Sequence, residues 1–255
     1  MSVTLDLMSL SSYYKRQFHW RDWSSILAAL PPLRGCTVLD LGCGVGDQAA
    51  ELVARGARVI GIDMSEEMLQ EVRSRQLPDS EFRLGDLRSI PDLGVAADGI
   101  WSSFAAAYFT DLPAVLADWG RQLRAGGWIA LTEIDDFFGH EPLSTGARSR
   151  YEAYARDGLA AGRYDFHMGS KLRGYLEQAG FTVTKVMTVE DQELSFSGPA
   201  PPEVIDAWRT RLDGMKLLQE SCGPSFHQVR EEFLECLALP DHRSTARVYC
   251  CVAIM

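Results

Sequence analysis

Val38-Leu39-Asp40-Leu41-Gly42-Cys43-Gly44-Val45-Gly46 decides the fold. Val38 to Leu41 has the composition of a buried strand; it runs into a turn with glycine at every second position, and Asp47 to Arg55 then reads as a helix. Glycine is needed there because the backbone must turn tightly and let a ligand approach without a Cβ in the way. Twenty-three residues past Asp40, a second strand of Arg58 to Ile62 ends at Asp63, within Gly61-Ile62-Asp63-Met64-Ser65. A carboxylate at that strand end can accept hydrogen bonds from both ribose hydroxyls of an adenosine. The glycine spacing then separates two ligand classes. A dinucleotide fingerprint is G-x-G-x-x-G, with a helix N-terminus facing a pyrophosphate. Here the order is G-x-G-x-G, and Asp40 stands two residues before the first glycine. A negative charge at that place suits an ammonium group, directly or through water, better than a pyrophosphate.

Outward from this segment, short β-rich runs alternate with helical patterns, the signature of a parallel sheet with crossover helices. Ser65 caps a helix to Arg75, Glu81 to Leu84 reads as a third strand and Gly99 to Ser103 as a fourth. A helix from Leu112 to Leu123 leads through a Gly126-Gly127 turn into a fifth strand, Trp128 to Ile134. Asp135 to Met168 shows no clear strand and reads as loop and helix. Lys171 to Ala179 is helical, Phe181 to Val189 is a sixth strand, residues 190 to 245 are largely helical, and Ala246 to Ile254 is a seventh strand. The first thirty residues are helical and aromatic, and Pro31-Pro32 ends them. The expected organisation is an N-terminal helical lid over 1–32 and a main domain over 33–255 with insertions at about 135–168 and 190–245.

A chain of 255 residues with 46% hydrophobic and 24% charged residues is a folded globular protein. No stretch has the length and apolarity of a membrane span, and Met1 to Leu10 lacks the pattern of a secretory signal, so a cytoplasmic protein is expected. The net charge of −10 weighs against a nucleic-acid partner, since phosphates are bound through Lys and Arg. The six cysteines form no C-x-x-C pair and have no His cluster at zinc spacing, so free thiols and no metal are expected. Cys250 and Cys251, adjacent on one strand, should face opposite sides of the sheet.

The glycine turn resembles motif I of class I S-adenosylmethionine-dependent methyltransferases of the small-molecule type. Other segments follow in that family's order. Gly85-Asp86-Leu87 is similar to the segment whose acid accepts from the adenine amine, and Met64 to the apolar position on the adenine face. Asp98-Gly99-Ile100-Trp101-Ser102-Ser103-Phe104 resembles motif IV, beside the methionine part of the cofactor. Leu123-Arg124-Ala125-Gly126-Gly127 resembles the L-K-P-G-G turn, with Ala125 in place of proline. The resemblance spans about residues 36 to 190. It implies an α/β, Rossmann-like sheet ordered 3-2-1-4-5-7-6 with strand seven antiparallel. It also implies an S-adenosyl-L-methionine site built from Asp40, Gly42, Gly44, Gly46, Asp63, Met64, Asp86, Leu87 and Ser102, with S-adenosyl-L-homocysteine as product. Tyr14 would close over the cofactor, as N-terminal aromatics do in related enzymes.

Methyl transfer from a sulfonium is an in-line displacement, so the protein must align a nucleophile, exclude water and sometimes remove a proton. Ser103-Phe104-Ala105-Ala106 lacks the [N/D]-P-P-[Y/F/W] motif of enzymes that methylate planar amines. Phe104 and Tyr108 are candidates for lining an acceptor pocket, or are core. Glu133 and Asp135, at the end of the fifth strand, could bind an amine on the acceptor or assist deprotonation, or are ordinary strand-end polar residues. His140 and His167 fall in the region where substrate loops are expected, and either could be a general base; His167 is preferred because it directly precedes a helix. The reading is methyl transfer to a small molecule in secondary metabolism. Two alternatives remain: a non-methylating cofactor-dependent reaction such as cyclisation or decarboxylation, and noncatalytic cofactor binding.

Overall fold

A computed structural model describes residues 17–90 and 93–255. The strands are β1 (Thr37–Leu41), β2 (Arg58–Asp63), β3 (Ser80–Leu84), β4 (Ala97–Ser103), β5 (Leu123–Asp135), β6 (His140–Glu141), β7 (Thr182–Val189), β8 (Arg243–Ser244) and β9 (Arg247–Ile254). Seven of them form one sheet in the order β3-β2-β1-β4-β5-β9-β7. The first five are parallel, and β9 runs antiparallel to both β5 and β7. This is the expected order, with β7 and β9 as the sixth and seventh strands of the reading.

The sheet separates two apolar cores because successive side chains on a strand point to opposite faces. Val38, Val59, Trp101, Trp128 and Cys250 belong to one core, and Leu39, Ile60, Ile100, Ile129 and Cys251 to the other. Cys250 and Cys251 therefore split between the faces as their adjacency requires, and all six cysteines are free. Gly99 makes room for a neighbour on β5: a Cβ there would lie 2.1 Å from the Trp128 ring.

Helices cover the faces: α1 (Trp23–Ala28), α2 (Asp47–Ala54), α3 (Glu66–Ser74), α4 (Leu112–Gly120) and α6 (Leu172–Gln178), with α5 (Thr145–Ala160) in the stretch between β6 and α6. Ser65 caps α3 by accepting from the Met68 amide, and Asp111 caps α4 by accepting from Ala114. After β7 come α7 (Pro202–Gly214), α8 (Lys216–Cys222) and α9 (Phe226–Leu237). The α9 helix packs on α5, α7, α8 and β6, which joins the two long insertions into one helical mass. The β6–β8 pairing, His140 opposite Ser244, ties them further.

Two details differ from the sequence reading. The Gly126-Gly127 turn, expected to precede the fifth strand, lies inside β5, where the register with β4 shifts between Ala97 and Gly99. The region 135–168 holds a paired two-residue strand, β6, where no strand was expected; its partner, Arg243–Ser244, is a hundred residues away and no local periodicity announces it. Among the described residues, no helix is long and apolar enough to cross a membrane.

Candidate active site

The glycine turn is pinned to the end of β2. The amides of Gly42 and Cys43 donate to the Ile62 carbonyl at 2.8 and 3.2 Å, and the Gly46 amide donates to Cys43 at 2.9 Å. Asp63 completes the clasp: Oδ2 accepts from the Gly44 amide and Oδ1 from the Ser65 amide, both at 2.9 Å. Two of the glycines have distinct reasons. Gly46, at φ +78°, abuts Val72 so closely that a Cβ would lie 2.2 Å from Cγ2. Gly44, at φ +49°, faces open space, with no atom within 4 Å of the place a Cβ would take.

Asp40 is 2% exposed, and its Oδ2 has no hydrogen-bond partner among the described residues. Burial, and secondarily the charge of Asp63, push its carboxyl up to about 8. A buried carboxyl with an unanswered oxygen beside an open glycine turn is a place for a cationic group from outside the protein. These residues fit the ammonium end of S-adenosylmethionine.

Beyond Asp63, Met64 is 74% exposed, an apolar surface at the strand end. Asp86 is exposed and bidentate to the Arg88 guanidinium, which holds its carboxyl below the ordinary range; an adenine amine would share that carboxylate. Leu87 reaches toward the turn, with Cδ1 3.8 Å from where a Gly42 Cβ would be. Ser102 is buried and donates its hydroxyl to the Leu41 carbonyl at 2.7 Å, so it ties β4 to β1 and has spent its proton there. Its neighbour Ser103 has a buried hydroxyl with no partner among the described residues, a polar atom the sequence reading passed over. Tyr14 lies outside the described residues.

Phe104 follows at φ +59° and packs against the N-terminal segment, with the Arg21 guanidinium 4.4 Å from its ring centre and Trp23 edge-on. Arg21 is itself held by buried Asp191 at 2.5 Å, in a cluster that includes Glu193 and Arg211. Arg21 lies 170 positions from Asp191, and no local spacing could have joined them. Tyr108 is exposed and stands edge-on to Tyr164.

Glu133 is completely buried on β5. Its Oε1 accepts from the Ala107 amide at 3.0 Å and its Oε2 has no partner among the described residues. Burial pushes its carboxyl up to about 8. It thus anchors the turn that follows β4. Asp135 accepts from the amide and hydroxyl of Ser170 and so fixes the turn before α6.

The two histidines chosen from sequence line one cavity of about 160 Å³ beyond the end of β5. His167 is exposed there, and its amide donates to Asp165, a buried carboxylate paired with Lys171 at 2.6 Å. His140 is 1% exposed and is stacked on His242, with Nδ1 3.0 Å from Nε2 of that ring. Burial first, then His242 and Arg211, hold its imidazole well below the ordinary range. That environment suits His140 to accepting a hydrogen bond rather than to storing a proton. His242, its partner, carries no motif that sequence could have flagged.

The family model described as "Methyltransferase domain" matches residues 38–127. Residues 38–127 are a methyltransferase domain of the class I, S-adenosylmethionine-dependent family. The matched stretch holds the glycine turn, Asp40, Asp63, Asp86 and β4. The chain is 37% identical to trans-aconitate 2-methyltransferase of Deinococcus radiodurans over 106 residues, which is 41% of this chain and 40% of that protein. It is 40% identical to nocamycin O-methyltransferase of Saccharothrix syringae over 114 residues, 42% of this chain and 41% of that protein. Each match therefore spans about two fifths of the relative's length. An S-adenosylmethionine-dependent methyltransferase structure from Mesorhizobium loti shares the fold, with TM-score 0.55, 22% identity and coverage of 91% of this chain and 97% of that one.

Proposed function

We propose that the chain transfers a methyl group from S-adenosylmethionine to a small-molecule acceptor, as a cytoplasmic enzyme of secondary metabolism. The observation that carries this reading is the unanswered Oδ2 of buried Asp40 beside the open face of Gly44. Bound S-adenosylmethionine supplies an electrophilic methyl group on a sulfonium and leaves as S-adenosylhomocysteine. Asp40 holds the ammonium group, and Asp63, whose oxygens already fix the turn, presents its remaining lone pairs to the ribose. Met64 lies against the adenine, with Leu87 at the turn and Asp86 at the exocyclic amine. Phe104, Tyr108, Glu133 and Asp135 shape the acceptor side, and His167 takes a proton where the acceptor must lose one.

The net charge of −10 and the relatives named for trans-aconitate and nocamycin support a small acceptor over a nucleic acid. Six free cysteines accord with a reducing compartment. The test is calorimetry with S-adenosylhomocysteine and NAD, followed by mass spectrometry of acceptors incubated with S-adenosylmethionine. Binding of adenosylhomocysteine alone, and products heavier by one methylene, are expected. Binding of NAD without adenosylhomocysteine would overturn the reading, and an isomerised or decarboxylated product of unchanged methyl content would replace transfer with another cofactor-dependent reaction.

A further inference from the structure

The glycine turn is fastened peptide by peptide, with one unit left out. The amides of Gly42 and Cys43 are taken by the Ile62 carbonyl, that of Gly44 by Asp63 and that of Gly46 by the Cys43 carbonyl. Neither the carbonyl of Gly44 nor the amide of Val45 has a hydrogen bond among the described residues. This Gly44–Val45 peptide borders the open face of Gly44. Its two polar groups are left for water or a ligand to satisfy.

The peptide that follows is held by a residue from outside the turn. Arg75 stands at the end of α3, and its Nη1 donates to the Val45 carbonyl at 2.8 Å. The same nitrogen donates to Oδ1 of Asp47, the first residue of α2, at 2.7 Å. The Val45–Gly46 peptide is thereby gripped at both ends, its carbonyl by Arg75 and its amide by Cys43. Val72, one helical turn before Arg75, closes against Gly46 from the same helix. Glycines at 44 and 46 give this stretch little stiffness of its own, so its shape depends on what holds it from outside. Of the two bonds from Arg75, the one to Val45 has more to lose. The ion pair with Asp47 is partly open to water, where such pairs contribute little, whereas Val45 is buried and its carbonyl has no other partner among the described residues.

We infer that Arg75 is a positioning residue for the cofactor. Asp63 holds the ligand-facing Gly44–Val45 peptide on its upstream side and Arg75 holds it on its downstream side. Arg75 touches no reacting atom and acts through the backbone of the turn. The inference rests on the methyltransferase reading and adds α3 to the elements that shape its cofactor site.

The experiment is calorimetric titration of the full chain with S-adenosylhomocysteine, at a temperature where circular dichroism shows every variant folded. Lost stability alone then cannot lower the affinity. Arg75→Met removes the donor and keeps the stem; it should weaken binding at least about fivefold, the worth of one charge-assisted hydrogen bond to a carbonyl. Arg75→Lys should recover most of that loss, because a single ammonium donor can serve the one bond that matters. Asp47→Asn keeps an oxygen for Nη1 but abolishes the ion pair, and should stay within about twofold of wild type. Should Arg75→Met fail to fold, Arg75→Gln, whose amide is polar but too short for the same reach, replaces it with the same expectation. If the Met or Gln variant binds like wild type, or Lys restores nothing, or Asp47→Asn weakens binding as much as Arg75→Met, the positioning inference falls and the methyltransferase reading stands. If the wild-type chain does not bind adenosylhomocysteine, both fall.

Discussion

The carboxylate of Asp63, at the end of β2, accepts the backbone amide of Gly44 at 2.9 Å. The residue read from sequence as a ribose ligand thus also holds the glycine turn in shape, through Gly44 on one oxygen and Ser65 on the other. Asp63→Ala should lower adenosylhomocysteine affinity by about 1–3 kcal/mol, roughly five- to 150-fold. Because the turn also loses its clasp, thermal unfolding should shift downward in the absence of ligand. A variant with wild-type melting and wild-type affinity would remove Asp63 from both roles.

With Asp40 as the proposed partner of the ammonium group, cofactor binding should depend on pH. Its carboxyl, raised to about 8, carries a proton at neutral pH in the free protein. An ammonium group beside it favours the carboxylate, so binding should release that proton. Adenosylhomocysteine affinity should rise with pH and level off near 8, falling by up to about tenfold per unit below it. Calorimetry in buffers of differing ionisation enthalpy should detect the released proton. The sign for folding is opposite. An acid less acidic in the native state than its ordinary value of 3.8 contributes stability at low pH that is lost as pH climbs toward 8. Asp40→Asn should therefore be at least as stable as wild type at pH 8, while binding cofactor at least about tenfold more weakly and with no pH slope.

Two glycines of one turn should respond differently to the same substitution. Gly46→Ala places a methyl group 2.2 Å from Val72 at φ +78°, and should cost about 2–4 kcal/mol of stability, from overpacking and left-handed strain together. Gly44→Ala meets nothing and should cost about 1–2 kcal/mol from its φ of +49° alone. Its larger effect should appear in cofactor affinity, because the methyl group enters the space reserved for the ligand. Denaturant titrations alongside calorimetry separate the two; equal losses of stability would contradict the assignment.

Glu133 offers a comparison between losing a charge and losing an acceptor. Glu133→Gln keeps an oxygen for the Ala107 amide and should stay within about 1 kcal/mol of wild type at pH 6. Glu133→Ala leaves that amide unpaired beside a cavity and should cost about 2–4 kcal/mol. Since burial raises the carboxyl to about 8 from an ordinary 4.5, wild type should lose stability as pH rises between those values, and Glu133→Gln should lose less. Urea unfolding at pH 5 and pH 8 measures the difference.

Most of the sheet was legible because β1, β2 and β4 are short, largely apolar runs, and β1 and β2 are closed by a glycine turn and by the helix cap Ser65. The cluster of residues proposed for the cofactor was legible for the same reason: turn chemistry is local, and Asp40, Gly44 and Asp63 sit at fixed offsets from strand ends. What could not be read depends on contacts across long separations. His242 orders His140 over 102 positions, and Arg21 reaches Asp191 to join a cluster closed by Glu193 and Arg211. Neither arrangement has a spacing that local physics would enforce. Sequence preferred the exposed His167 over the buried His140 only for its place before a helix, and did not show which was buried, because burial is a property of the packed insertions and not of either segment alone.

The placement of β9 between β5 and β7 sets the order in which the molecule can be completed. Those two strands have no hydrogen-bond partner on their facing sides until Arg247–Ile254 arrives to bridge them. A nascent chain that has emerged only as far as Ala246 would present two open β edges flanked by apolar residues, the kind of surface that invites pairing with a neighbouring chain. Residues 38–127 hold β2, β3, β4 and most of β1, whereas β5 and β7 are joined only through β9. Yield in a cell should thus depend on how long those edges wait, and on whether a chaperone shelters them during the wait.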